Sequence, residues 1–78
     1  MEEDLNSIKI RFLIDCLIEQ MALMLMNDYN MSITDALDTV FNSQLYEKIE
    51  DLETGLYYQS AKYNYELLRH EMKYGKLV

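Results

Sequence analysis

The fold turns on the stretch Ile10-Arg11-Phe12-Leu13-Ile14-Asp15-Cys16-Leu17-Ile18-Glu19-Gln20-Met21-Ala22-Leu23-Met24-Leu25-Met26, apolar except at Arg11, Asp15, Glu19 and Gln20. The three charges recur every four residues, so in a helix they stack on one narrow face and leave nearly every other direction apolar. A surface helix in a monomer needs only one apolar stripe. The run therefore predicts a helix covered on several sides, by the later segments of the chain or by a second copy. Upstream, Leu5, Ile8, Phe12 and Leu13 extend the helical spacing toward the acidic lead Glu2-Glu3-Asp4, whose carboxylates suit the open N–H groups of a first turn. The helix is expected over about residues 5–29, with Asp4, Arg11, Asp15 and Glu19 as its polar seam.

Beyond it, Asn27-Asp28-Tyr29-Asn30 breaks the apolar run, and Asn30 tolerates the left-handed conformation that closes helices. Met31-Ser32-Ile33-Thr34-Asp35-Ala36 is the clearest local signal: Ser32 as N-cap, Asp35 approximating a capping box, Met31 stapling against Ala36. A second helix is expected to about Phe41. A third, of about residues 44–52 and capped by Ser43, follows a break at Asn42-Ser43, unless the two are one bent helix. Gly55 takes a positive φ, and Leu56-Tyr57-Tyr58-Gln59 reads as an extended linker pinned by Leu56 and one tyrosine. Ser60 caps a last helix of about residues 61–75, striped by Ala61, Tyr65, Leu68 and Met72 and closed by Gly75. Tyr63, Leu67, Tyr74 and Leu77 widen its apolar surface. The fold class is all-α: a small bundle of three to four helices with a long amino-terminal helix.

The 78 residues form one domain, residues 1–78, near the lower limit for burying a core unaided. Half the chain is hydrophobic, which excludes a disordered class. No proline and only two glycines favour long helices over a turn-rich sheet. The net charge of -7 is uneven: residues 1–39 hold eight acids against Lys9 and Arg11. That disfavours nucleic acid and would attract a protein partner with a basic surface. The apolar run is too short and too charged to span a membrane, and the chain opens on acids rather than a basic signal region. A cytoplasmic location is expected, in keeping with a lone Cys16 in an apolar setting.

Little in the chain carries chemistry, and the reading is of a protein that is not an enzyme, with no cofactor or metal. Cys16 reads as buried and inert. Glu66 precedes His70 by one turn and reads as a solvated pair, without the further ligands a metal needs. The acid pairs Asp15/Glu19, Asp35/Asp38 and Glu47/Glu50/Asp51 read as solvated surface. Gly55 and Gly75 are isolated, so there is no phosphate-cradling loop. Met21, Met24, Met26 and Met31 cluster near the end of the first helix, where soft side chains fill a core or line a groove for a partner helix. Seven tyrosines suit boundaries with a buried ring and a wet hydroxyl, and interface cores.

At Asn30-Met31-Ser32-Ile33-Thr34-Asp35-Ala36-Leu37-Asp38-Thr39-Val40-Phe41-Asn42-Ser43, and at Glu53-Thr54-Gly55-Leu56-Tyr57 through Tyr65-Glu66-Leu67-Leu68, the sequence resembles a small family of bacterial helical domains of unknown function. The resemblance covers nearly the whole chain and implies a self-contained domain. Some small acidic helical proteins of this kind are encoded beside a larger toxin-like protein, which implies an antitoxin-like partner role. No site residue carries over.

The expected function is a protein–protein interaction module that forms a homodimer. Leu13, Leu17, Met21 and Met24, spaced four, four and three, would make the seam between first helices, with Tyr63 and Tyr65 as interface aromatics. The alternative is a helix-turn-helix regulator built from residues 33–41 and 43–52, although Glu47, Glu50 and Asp51 give its second helix the wrong charge for a phosphate-lined groove.

Overall fold

A computed structural model describes residues 2–77, which form four α-helices and, among the described residues, no strand. Helix α1 (Glu2–Tyr29) is unbroken over 28 residues. At 1.5 Å per residue that is about 42 Å, matching the 42 Å long axis of the molecule. The second and last helices pack along this rod, while the short third helix packs chiefly against the last helix and the turns that precede it. Its first residues lie upstream of the expected start, and how the carboxylates of residues 2–4 are placed falls outside the described side chains. Asn30 ends α1 with φ 58°, a left-handed value that asparagine accepts at modest cost.

Helix α2 (Ile33–Phe41) starts where its cap demands: the Ser32 hydroxyl accepts from the Asp35 N–H at 3.1 Å. At Asn42-Ser43 the chain breaks rather than bends. The Asn42 N–H donates to the Asp38 carbonyl, and Ser43 restarts the chain as N-cap of α3 (Gln44–Glu50), accepting from the Tyr46 N–H at 3.0 Å. A carboxylate from elsewhere in the chain completes that start. Glu71, from the last helix, accepts from the Gln44 N–H at 2.7 Å and the Leu45 N–H at 3.0 Å. An anion on the open N–H groups of a helix start is favoured by both hydrogen bonding and the helix dipole.

Gly55, at φ 70°, separates two single 3₁₀ turns, Leu52–Thr54 and Leu56–Tyr58. The extended linker expected at Leu56-Tyr57-Tyr58-Gln59 is therefore a turn, and the expected third helix stops short of Leu52. The cause lies downstream, at Asn64. Its side chain is fully buried, and its Nδ2 donates to the carbonyls of Leu56 at 3.0 Å and Ser60 at 3.1 Å, pulling the chain into a coil around itself. Leu56 and Tyr57 pin the turn to the core. Helix α4 (Ala61–Tyr74) follows, capped by Ser60 and closed by Gly75 at φ 77°.

The core is one cluster. Ile14, Leu17, Ile18, Met21, Ala22 and Leu25 line one side of α1 and meet Ala36 and Val40 of α2, Leu45 and Ile49 of α3, and Ala61, Tyr65 and Leu68 of α4. Met72, the last position of the expected α4 stripe, is instead exposed. Each fully buried large side chain contributes about 1.5–3 kcal/mol.

Replacing Asn64 with Ala removes a second donor from the Leu56 and Ser60 carbonyls, which keep their backbone partners, so urea unfolding is expected to show a loss of about 1 kcal/mol with an unchanged m-value. Replacing Glu71 with Ala, which leaves the Gln44 and Leu45 N–H groups of α3 without their carboxylate while Ser43 still caps the helix, is expected to cost about 1 kcal/mol in the same measurement.

Candidate functional site

The side of α1 opposite the core is where this fold departs from an ordinary soluble helix. Leu5, Ile8 and Phe12, at 53%, 63% and 66% exposure, follow one another at helical spacing, and Leu23 lies further along the same side at 53%. A monomer would place polar residues there. Next to Leu23, α2 adds Ile33 and Phe41, each about half exposed. Two depressions result. An open one is lined by Ile8, Phe12, Arg11 and Asp15. A groove of about 310 Å³ between α1 and α2 has Ile18, Ala22 and Leu37 toward its floor, with Leu23, Ile33 and Phe41 along it.

Charge divides this face. Arg11 donates to both carboxylate oxygens of Glu50 on α3, at 2.7 and 3.2 Å, and through Nε to Asp15 at 3.2 Å. Arg11 and Asp15, neighbours four apart in the polar seam, thus pair, and Glu50 adds a longer-range partner. The Arg11 hydrogen bonds hold the Glu50 carboxyl below the usual carboxylate range, against burial that pushes it up. Glu19 and Asp38 make no ion pair among the described residues.

The residues expected to form a dimer seam are differently placed. Leu17 and Met21 are buried, at 7% and 0% exposure, inside a single copy. They cannot face a second copy in this fold, because they share the side of α1 that the later helices cover. Met24 is half-buried against the same core, while Leu13 remains 39% exposed. Tyr63 is exposed. Tyr65 is buried, and its hydroxyl donates to Asp28 Oδ2 at 2.7 Å, tying α4 to the end of α1. Burial first, then that hydrogen bond, push the Tyr65 phenol well above the ordinary tyrosine range.

The residues considered for catalysis are scattered. His70 is exposed, with Nδ1 3.1 Å from the Lys76 carbonyl and its ring against Tyr74. It lines an open cleft with Glu66, Arg69 and Tyr29. Glu66 pairs with Arg69 at 3.6 Å rather than with His70. Cys16, on the remote helix α1, is half-buried, not enclosed. Among the described residues no three His, Cys, Asp or Glu side chains gather as a metal would require. The two helices of the helix-turn-helix alternative exist as α2 and α3, but the first N–H groups of α3 are occupied by Glu71. No helix among the described residues is long and apolar enough to cross a membrane. No family model, curated protein or solved structure matches the chain.

Burial of α1 begins only at Ile14, and among residues 5–13 only Ile10 is part-buried, which leaves exposed the Leu5, Ile8 and Phe12 that lead into the apolar run. Their spacing of three and four was visible, their exposure was not.

A tyrosine whose pKa is higher folded than unfolded (about 10) adds stability that is complete below about pH 10 and fades as pH rises toward the folded value. Denaturant titrations from pH 8 to 11 are expected to show a steeper loss above pH 10 for the native chain than for Tyr65→Phe, which at pH 7 is less stable by about 1 kcal/mol.

Proposed function

We propose that this protein is a protein–protein interaction module that self-associates through the outer, amino-terminal face of α1. One observation carries the reading: Leu5, Ile8 and Phe12 stand in solvent as an apolar strip on the amino-terminal end of the rod, ahead of Ile14, where the buried stretch of α1 begins. Exposed apolar strips on small proteins mark docking surfaces. The spacing is self-complementary. In an antiparallel pair centred near residue 10, Ile8 of each copy faces Phe12 of the other across the two-fold axis. Lys9 and Arg11, the two cations of residues 1–39, flank the strip, so the contact need not bring only like charges together. The strip is short against the roughly 1,000 Å² of a stable interface, so the association is micromolar or weaker. An antitoxin-like role, implied by the resemblance, would be one use of such a module.

The homodimer expected from the sequence is thereby moved from Leu17 and Met21 to the opposite side of the same helix. Sedimentation velocity from about 10 to 500 µM is expected to show reversible dimerisation, abolished by the double substitution Ile8→Ser and Phe12→Ser. Thermal stability should stay within about 0.5 kcal/mol, since both side chains are exposed. Dimerisation unchanged by these substitutions, or a monomer throughout, would overturn the reading.

A further inference from the structure

The groove between α1 and α2 is as apolar as the strip beside it, but its charge is of one sign. Asp15 and Glu19 line it, no lysine or arginine does, and the exposed Asp38 stands one turn before Phe41 on α2. Arg11 reaches Asp15 but is shared with Glu50, leaving Glu19 and Asp38 uncompensated among the described residues. A second copy of this chain would bring a further net charge of -7 to the same place. We infer that the groove receives an amphipathic helix of another protein that carries lysines or arginines beside its apolar stripe.

The dimensions suit that occupant. Helix α2 has nine residues, about 14 Å or two and a half turns, which takes three apolar anchors at i, i+3 or i+4, and i+7. Those anchors lie on Leu23, Ile33 and Phe41, the three large apolar side chains of the groove left about half exposed. Buried Ile18 and Ala22 beneath them give a packed floor. Cations flanking the stripe meet Glu19 and Asp38 and set orientation and encounter rate more than final affinity. The inference extends the reading of the chain as an interaction module to a second surface, and uses residues that the self-association strip does not.

The test is fluorescence anisotropy with a labelled designed helix of about 18 residues, leucines at the three anchor spacings and lysines beside them. Two controls have the same composition scrambled and glutamate in place of lysine. The native chain is expected to bind the designed helix at least about tenfold more tightly than either control, and less tightly as ionic strength rises from about 0.05 to 0.5 M. Leu23→Ser with Phe41→Ser should weaken binding about tenfold, and Glu19→Lys with Asp38→Lys should weaken it and flatten its salt dependence. Two variants guard against misfolding, since the charge pair leaves the apolar groove untouched and melting curves report on both. Ile8→Ser with Phe12→Ser should leave peptide binding unchanged, so loss of self-association and loss of groove binding are separable. Equal binding of the scrambled helix, no binding at all, indifference to both groove variants, or a dimer abolished by the groove substitutions would each overturn the inference.

Discussion

Burial of Ile14, Leu17, Ile18, Met21, Ala22 and Leu25 along one side of α1 is the contact on which every other part of the molecule depends. The rod is as long as the molecule, and the three later helices are too short to fold without something to lie on. Hydrophobic burial has no direction of its own. It holds the later helices to the rod without saying where along it each should stop.

Polar contacts supply that position. Glu71 ties the start of α3 to α4, Arg11 ties α1 to the end of α3 through Glu50, Tyr65 ties α4 to Asp28, and Asn64 gathers the loop carbonyls ahead of its own helix. Exposed ion pairs such as Arg11–Glu50 add little stability. Their worth is geometric, since each joins segments far apart in the chain. Asn64 is the costly member: its Oδ1 is buried without a partner among the described residues, a penalty set against the further hydrogen bonds its Nδ2 donates to the Leu56 and Ser60 carbonyls.

With burial confined to one side of α1 from Ile14 onward, Leu23 is left exposed opposite the core, and Leu5, Ile8 and Phe12 on the stretch ahead of it. Buried and exposed apolar surface are thus divided along a single helix. The inner side gives a core to a chain of 78 residues; the outer side holds apolar surface that the fold itself does not use. Asp15 and Glu19 border that surface at the α1–α2 groove with charge of one sign.

The sequence alone determined the helices and most of their ends. Ser32, Ser43 and Ser60 each cap where their hydroxyls were expected to, and Asn30, Gly55 and Gly75 take the left-handed backbone. Such signals are legible because a cap or a positive φ involves residues only a few positions apart. Only the tertiary structure decided which side of α1 faces inward. A helix apolar around most of its circumference contains several stripes of nearly equal merit, and the stripe through Leu17 and Met21 looked as suitable for a second copy as for the chain's own core. The turn at Leu56–Tyr58 and the capping by Glu71 were hidden for the same reason: each is set by a side chain from elsewhere in the chain, and local spacing carries no record of a partner that only packing brings near.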